Sequence, residues 1–345
     1  MISHFFRMLS PLLIVLSLAQ CSSESTGRRL PRHSGEPGEL LLIMNEKQWL
    51  GAPGDSLRSV FEAYYPFLPQ AEPRFSLLQF SPEEMNSLLQ QHRNIIQVII
   101  GPDSEGENKV SLSRDRWSTH QLVFTIRAEN EEKFYAMLPT EIKKLTELID
   151  QAEVERIISR YRKTGNEDLS IELANKYGLD LAIPADMLLA KKSINFTWLK
   201  RERVKYLGNS PHDITQGLFV YTYPYRSEAQ LRPDSILAQR DSLLKANVPG
   251  PKPGTYMATE YRLPPESEEI EINGRFAILT RGLWRTENYF MGGPFLNLTT
   301  TSADGNQIVC ISGFVFAPKF DKREFIREVE AILRSVRIVE PSAKS

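Results

Sequence analysis

The sequence predicts an α+β protein with two domains, each an antiparallel or mixed sheet with helices packed on it. Short apolar or alternating segments between turn residues indicate strands. Longer segments with apolar residues every three to four positions indicate helices. A chain of 345 residues, 41% of them hydrophobic, suits two domains of roughly 150 residues each. We expect the boundary at Thr164-Gly165-Asn166, between an N-terminal α+β domain at 39–164 and a C-terminal α+β domain at 165–340.

The first half begins with a continuous apolar run at 39–44, typical of a strand covered on both faces. A helix follows, for which Asp55 or Ser56 is the expected N-cap. Pro139 should kink or restart the last helix of this half. The predicted segments are strands at 74–80 and 94–100, a short helix from 82 to 91, a hairpin at 110–117 and 121–128, and a helix at 130–163.

The second half begins with a helix at 168–177 that ends at Gly178. It closes with an amphipathic helix at 322–336, whose apolar residues share one face. Between them the sequence predicts strands at 179–183, 194–203, 217–225, 270–272, 275–285, 295–301 and 307–317, and a helix at 234–246.

The N-terminus has the features of a secretory signal. Arg7 precedes an apolar run that is too short to span a membrane and ends at Leu18-Ala19-Gln20-Cys21. This ending resembles a bacterial lipobox, which implies a signal peptide at 1–20 and lipidation of Cys21. By the same resemblance we expect a lipid-anchored protein of the cell envelope, at the outer membrane. The alternative is an ordinary secretory signal with a chance cysteine.

Residues 21–38 contain Ser, Gly and Pro without apolar periodicity, and we interpret them as a flexible tether. The chain has 42 Lys and Arg against 43 Asp and Glu, a net charge of −1. Nucleic-acid binding would require a clear basic excess. The nearly neutral charge therefore does not indicate nucleic acid as a partner. The partners expected of a lipid-anchored protein are the membrane, reached through the lipid, and a protein or glycan of the envelope.

No familiar catalytic or metal-binding pattern is present. The five histidines do not occur at metal-ligand spacing, and of the two cysteines only Cys310 remains once Cys21 carries a lipid. Cys310 lies in an apolar run and is expected to be a buried small hydrophobe. Acidic pairs such as Glu328 with Glu330 are interpreted as solvated helix faces. We predict no catalytic residue, no metal site and no cofactor.

One motif suggests an alternative function. Gly54-Asp55-Ser56-Leu57 matches the name motif of the GDSL esterases, which would make Ser56 the nucleophile of an envelope hydrolase. In those enzymes the serine directly follows the first strand, and a C-terminal Asp-x-x-His activates it. Here ten residues separate Met44 from Asp55, and the last histidine is His212 in Pro-His-Asp. A helix start explains the four residues better.

The candidate binding surface lies in the stretch from Arg281 to Phe295. Paired glycines beside proline and aromatic residues suit a tight loop, and aromatic residues with arginine are typical of interface centres. The alternative is a hairpin corner covered by aromatic side chains, in which Trp284 is a core residue. The proposed surface consists of Arg281, Trp284, Arg285, Gly292, Gly293 and Phe295. His92-Arg93-Asn94 could form a second polar cluster at the start of a strand.

Several segments together resemble a family of Bacteroidota lipoproteins with a domain of unknown function. They include His92-Arg93-Asn94-Ile95-Ile96, Arg281-Gly282-Leu283-Trp284, Met291-Gly292-Gly293-Pro294-Phe295 and Gly313-Phe314-Val315-Phe316-Ala317-Pro318. The second half also resembles the PsbP-like fold, through Leu179 to Pro184 and the final helix. Such domains act mostly in binding or assembly. The resemblance implies a non-enzymatic binding or assembly module and supplies no catalytic residue.

Overall fold

The computed structural model describes residues 29–339, so the predicted signal peptide and Cys21 lie outside the described residues. The α+β prediction is confirmed. A five-stranded mixed sheet forms the first half, and an antiparallel sheet of eight strands forms the second. Within residues 29–339 no helix is both long and apolar enough to cross a membrane.

The N-terminal domain is built around three parallel strand pairings. Its strands and helices are β1 (Glu39–Ile43), α1 (Glu46–Trp49), α2 (Ala52–Phe61), β2 (Ser76–Phe80), β3 (Asn94–Ile100), β4 (Lys109–Arg114), β5 (Leu122–Ala128), α3 (Glu131–Met137) and α4 (Lys143–Thr164). The sheet order is β2-β1-β3-β5-β4, and only β4 runs antiparallel to its neighbour. Short 3-10 turns occur at Pro82–Glu84, Leu89–Gln91 and Pro102–Ser104.

The continuous apolar run of β1 is explained by burial on both faces. Leu40 and Leu42 pack with the helices on one side of the sheet. Leu41 and Ile43 pack on the other side against Met85 and the residues around it. A central strand with two covered faces needs apolar residues at every position. The prediction for this strand is therefore confirmed.

The C-terminal domain has one large antiparallel sheet between two helical layers. Its elements are α5 (Glu167–Tyr177), β6 (Leu179–Asp180), β7 (Leu188–Ser193), β8 (Phe196–Leu207), β9 (Ser210–Pro224), α6 (Pro233–Asn247), β10 (Met257–Glu260), β11 (Glu266–Ile272), β12 (Arg275–Thr286), β13 (Tyr289–Thr301), β14 (Gln307–Phe316), α7 (Arg323–Arg334) and β15 (Arg337–Ile338), with a 3-10 turn at Glu228–Leu231. The sheet order is β10-β12-β13-β14-β9-β8-β7, and β11 pairs beside β10 on the same edge of β12. Helices α5 and α7 contribute to the core on one face of the sheet, and α6 covers the other.

Helix α4 belongs to both cores. Leu145 and Ile149, in its first half, pack in the core of the N-terminal domain. Ile157 and Tyr161, in its second half, pack in the core that contains α7 and the large sheet. The helix starts after a π-helical turn at Leu138–Ile142 that includes Pro139. The predicted restart at this proline is confirmed.

The prediction of a flexible tether is wrong for residues 31–38. The carbonyl of Pro31 accepts a hydrogen bond from Thr119 N at 2.9 Å, and Ser34 N donates to Gln91 O at 2.8 Å. Gly35 has φ +89°, and a Cβ there would lie 2.4 Å from His92 Nε2. Backbone hydrogen bonds of this kind do not require apolar residues at regular spacing, so the sequence pattern does not reveal them. The folded body therefore begins before residue 39.

Several local predictions also need correction. The short helix predicted from 82 to 91 does not form, and the chain has only the two 3-10 turns Pro82–Glu84 and Leu89–Gln91 there. Neither Asp55 nor Ser56 is an N-cap, because α2 begins at Ala52 after Gly51 and includes both. The strand predicted at 179–183 has only two paired residues, which pair with β15 rather than with the large sheet. Strand β7 was missed, and β8 with β9 forms a hairpin longer than the predicted segments, turning at Gly208 with φ +59°.

Candidate functional site

The predicted loop between Arg281 and Phe295 is a pair of antiparallel strands. Trp284 lies opposite Gly293, and Gly282 lies opposite Phe295. Successive residues of a strand point to opposite faces. Trp284 and Phe295 therefore lie on the α6 face of the sheet, and Arg281 lies on the α7 face. The six residues of the proposed surface do not form one continuous surface.

Trp284 and Phe295 are core residues. Their exposed fractions are 2% and 1%, and Trp284 Nε1 donates a hydrogen bond to Val315 O at 3.1 Å. Gly293 makes room for this contact, since a Cβ there would lie 2.1 Å from Val315 O. The paired glycines are thus explained by close packing. A ligand could reach these residues only after the sheet had rearranged.

Arg285 is more accessible than Arg281 and Trp284, the other charged or aromatic residues of β12 in the proposed surface. Its side chain is 41% exposed and pairs with Glu287 at 2.5 Å. It borders a shallow depression formed with Glu260, Tyr261 and Arg262. Binding by Arg285 stays a prediction.

Arg281 leads to a larger site on the opposite face of the sheet. Its two terminal nitrogens donate to the two carboxylate oxygens of Glu330 on α7, at 3.1 and 2.8 Å. Arg334 Nε donates to the same carboxylate at 2.7 Å, and the Tyr65 hydroxyl donates at 3.3 Å. Burial alone would raise the pKa of Glu330, but the two guanidinium groups lower it to about 2. The interpretation of Glu330 as part of a solvated face is therefore wrong.

A second ion-paired group joins the two domains beside the first. Arg327 of α7, with a side chain only 1% exposed, pairs with Asp150 of α4 at 3.1 Å. Arg74 pairs with the other oxygen of Asp150 at 2.6 Å. Burial raises the pKa of Asp150 even though both arginines oppose it. These charges are held between the domains, and each buried member has a second partner, Arg74 for Asp150 and Glu324 for Arg327.

A groove of about 830 Å³, here called the interdomain groove, opens beside these ion pairs. One wall is a face of α4, with Glu147, Asp150, Gln151, Val154, Glu155, Ile158 and Arg162 at helical spacing. The opposite wall is β11, and the floor includes Tyr65, Arg281, Arg327 and Glu330. The interdomain groove thus lies between a helix of one domain and a strand of the other.

Strand β11 presents an edge to the interdomain groove. Glu266, Ser267 and Glu268 line it in succession, and Glu271 and Ile272 do so further along. Successive side chains of a strand point to opposite faces, so neighbours such as Glu266 and Ser267 cannot both line the groove from one face. They line it together because the groove runs along the edge of the strand. Strand β11 pairs only with β12, and within residues 29–339 its backbone makes no hydrogen bond beyond that pairing. One row of its N–H and C=O groups therefore has no protein partner in the described chain.

The unpaired charge of the interdomain groove is acidic. Among the described residues, the lining acids without an ion pair are Glu147, Glu155, Glu266 and Glu271, whereas Arg337 is the only lining arginine without one. The remaining arginines are held by Asp150, Asp180 and Glu330. A ligand in the interdomain groove consequently meets an excess of negative charge.

The geometry around Ser56 does not favour the hydrolase alternative. Its hydroxyl donates to the carbonyl of Ala52 in its own helix at 2.9 Å, on the exposed side of α2. None of the hydrogen bonds found in residues 29–339 joins Ser56 to a histidine. Cys310 is buried as expected, and burial raises the pKa of its thiol to about 11.

The polar cluster at His92-Arg93-Asn94 is real but buried. Glu153, fully buried on α4, pairs with Arg93 at 2.8 Å and with Arg156 at 2.7 Å. Asn94 Nδ2 also donates to Glu153 at 2.7 Å. Within the described chain, no group of three or more His, Cys, Asp or Glu could hold a metal ion. This cluster is a structural network that ties α4 to the start of β3.

Sequence reasoning missed the groups that line the interdomain groove. Glu330 lies three to four residues from the apolar Ile326 and Leu333, on the buried side of an amphipathic helix. A charged residue at such a position indicates a buried partner. That signal was available in the sequence, but its partners Arg281 and Tyr65 are separated from it by 49 and 265 residues.

Comparison with known proteins finds two domains of unknown function. Residues 166–335 match the family model described as Domain of unknown function (DUF4837), and residues 33–162 match Domain of unknown function (DUF8532). The resemblance to a family of unknown function is therefore confirmed. The matches fall on either side of Gly165. No curated protein matches the chain.

Solved structures resemble parts of the chain only distantly. The Ran-binding protein Mog1p of Saccharomyces cerevisiae is 11% identical, with a TM-score of 0.31 over 48% of this chain and 92% of that one. A Bacteroides thetaiotaomicron protein gives 11% identity and a TM-score of 0.21, over 48% of this chain and 47% of its own. The lipid transfer and protein localization domain of human StarD13 gives 11% and 0.20, over 43% and 86%. Such TM-scores do not establish a shared fold.

Proposed function

We propose that this chain is a lipid-anchored envelope protein that binds a protein or glycan partner, without catalysis, in the interdomain groove. The observation that carries the proposal is the groove itself, about 830 Å³ between two docked domains. Ligand sites occur preferentially at domain interfaces. The anchor is proposed from the lipobox-like ending at Cys21 and from the apolar run before it.

Buried polar contacts between the two domains support a preformed binding site. The buried Arg327 and Glu330 each make contacts to the N-terminal domain, through Asp150 and Tyr65. A site that is already in its binding shape loses less freedom when it takes up a ligand. The interdomain groove therefore does not have to be assembled by the partner.

The most buried carboxylates and the serines that line the interdomain groove are already engaged in ion pairs and hydrogen bonds, which favours binding over hydrolysis. The two most buried carboxylates that line the groove, Asp150 and Glu330, are both held by arginines. The lining serines are also engaged, since Ser267 shares a hydrogen bond with Thr280 and Ser335 donates to Ile332 O. A nucleophile needs an adjacent base to activate it, and neither serine has such a neighbour among the contacts described.

Site-specific photocrosslinking in the native envelope tests the proposed site. A photoreactive p-benzoylphenylalanine replaces Glu147, which is exposed and lines the interdomain groove, or Ser159, which is exposed on the same helix outside it. We expect an adduct from position 147 and none from position 159. Mass spectrometry of the adduct distinguishes a protein from a glycan. Equal labelling at both positions, or none at position 147 in correctly located protein, would contradict the proposal.

A further inference from the structure

We infer that the interdomain groove takes an extended, cationic peptide segment of a partner protein, which adds as a strand to the free edge of β11. This inference rests on the proposed function, because it names the class of ligand for the same site. Three features carry it: the unpaired strand edge, the helix opposite it, and the sign of the unpaired charge.

The free edge of β11 can form hydrogen bonds with the backbone of a bound peptide. An unpaired strand edge is a row of donors and acceptors that can pair with another extended chain. Strand β11 has seven residues, so a fully paired segment would extend over roughly 24 Å. Hydrogen bonds of this kind depend on the peptide backbone, which a glycan lacks. The edge therefore selects a peptide over a carbohydrate.

The helix α4 supplies the second wall that an added strand needs. Strand addition in peptide-binding domains uses main-chain bonds for affinity and side-chain pockets for specificity. Val154 and Ile158 on α4 and Ile272 on β11 give the interdomain groove apolar positions among the charges. Alternate side chains of an added strand would meet either these residues or solvent. An edge strand exposed to bulk water would offer no such contacts.

The unpaired acids select the charge of the peptide. Glu266 and Glu271 stand near the two ends of β11, and Glu147 and Glu155 stand on the facing wall of α4. Acidic side chains on an edge strand discourage pairing with neutral or acidic chains. The same side chains attract lysine and arginine and raise the rate of encounter with a basic segment. The charge thus admits one class of strand and rejects others.

The experiment uses the full-length chain in detergent and three fluorescent heptapeptides. The first has the sequence Lys-Val-Lys-Thr-Arg-Val-Lys, the second replaces its basic residues with glutamate, and the third carries the basic sequence with a methyl group on every backbone nitrogen, so that neither of its edges can donate a hydrogen bond. Fluorescence anisotropy measures their binding. We expect the first peptide to bind, the acidic peptide not to bind, and N-methylation to abolish binding.

A matched pair of variants locates the binding on β11. Glu266→Lys combined with Glu271→Lys reverses two charges in the interdomain groove and should weaken the basic peptide by about tenfold or more. Glu83→Lys combined with Glu129→Lys reverses two exposed charges of the N-terminal domain that do not line the groove, and should leave affinity within about twofold. Thermal denaturation checks that the variants remain folded.

The inference is overturned by binding that ignores N-methylation, by equal binding of the acidic peptide, by equal effects of the two variants, or by no binding of the basic peptide to the native chain. If position 147 still gives a specific adduct in the envelope, the proposed function stands while the peptide inference fails. If position 147 gives no adduct in correctly located protein, the proposed function fails, and the peptide inference fails with it even where the basic peptide binds in detergent.

Discussion

Both carboxylate oxygens of Glu72 accept a hydrogen bond from the backbone N–H of Lys322, each at 2.8 Å. Glu72 belongs to the N-terminal domain, and Lys322 is the N-cap of α7 in the C-terminal domain. Arg323 N donates to the same carboxylate at 2.8 Å. The side chain of Lys322 provides no cap of its own. The last helix of the described residues is therefore capped by a residue of the other domain that lies 250 positions earlier in the sequence.

Removal of this cap should destabilise the whole chain. In Glu72→Ala two buried backbone donors lose their acceptor, and a negative charge is lost from a helix N-terminus. We expect the free energy of unfolding in urea to fall by about 1–3 kcal/mol. Glu62→Ala, at an exposed glutamate in the same part of the chain, is the control and should change it by less than about 0.5 kcal/mol. Equal effects of the two substitutions would show that Glu72 does not act as a cap.

The pair between Arg327 and Asp150 can be measured by a double-mutant cycle. Arg327→Met should cost about 1–3 kcal/mol, because Asp150 and Glu324 each lose one buried partner while keeping Arg74 and Arg323 respectively. Asp150→Asn alone should also destabilise the chain. The double variant should cost less than the sum of the single variants, by roughly 1 kcal/mol or more. Strictly additive losses would mean that the two charges do not interact across the domains.

Trp284 and Arg285 are neighbours on opposite faces of the β12–β13 hairpin, so their substitutions should differ in their effect on the free energy of unfolding. Trp284→Ala should reduce the free energy of unfolding by about 3–5 kcal/mol, since it empties a buried site and leaves Val315 O without its donor. Arg285→Ala should change it by no more than about 0.5 kcal/mol, because this side chain is 41% exposed. Thermal denaturation of both variants makes the comparison. A large loss of stability in Arg285→Ala would contradict this assignment of faces.

Acid should weaken the chain through Glu330. The pKa of Glu330 lies at about 2 in the folded chain, below its ordinary value of 4.5. A carboxylate with a lowered pKa stabilises the fold above pH 4.5, and this stability is lost as the pH falls from 4.5 towards 2. We expect Glu330→Gln to be less stable than the native chain at pH 6 and to lose less stability over that interval. Glu269→Gln is the control, and urea denaturation across the pH range is the measurement. Parallel curves for Glu330→Gln and the native chain would contradict the prediction.

The proposed anchor gives a prediction that does not depend on the groove. Cys21→Ser removes the thiol that would carry the diacylglyceryl group, so the protein should enter the soluble periplasmic fraction or remain an uncleaved precursor. Each buried CH₂ of an acyl chain contributes about 0.8 kcal/mol to membrane binding, so its loss should be decisive. Metabolic labelling with radioactive palmitate and fractionation make the measurement, and Ser22→Ala is the control. Palmitate found on the Cys21→Ser protein would refute lipidation at this residue.

Local patterns were sufficient for most elements of this fold. The apolar run of β1 and the spacing of α7 depend on burial, which makes residues apolar at every position of β1 after the first and at every third to fourth position of α7. Gly178 adopts a left-handed conformation at the end of α5, as its position predicted. Errors arose where backbone pairing carries no side-chain signal, as at residues 31–38, or where capping was assigned to Asp55 and Ser56 rather than to Gly51.

The candidate site was harder to predict, because its parts are far apart in the chain. Arg281 was singled out from the sequence, but for a loop that does not exist. Its actual partner, Glu330, was assigned to a solvated face. The order of the strands in the sheet determines which strand edge remains unpaired. The sequence of β11 alone does not show its place in that order. The interdomain groove follows from how the two domains meet rather than from any single motif.

The shared helix α4 and the terminal helix α7 together constrain when this protein can finish folding. The second half of α4 is made long before α7, yet Ile157 and Tyr161 pack in a core that α7 completes. During synthesis these side chains cannot complete their packing until the last of the twelve residues of α7 has emerged. Contacts between such distant parts of a chain form slowly. A chain that stops short of residue 323 would therefore leave the finished first domain with an open apolar flank, and quality-control proteases should remove it.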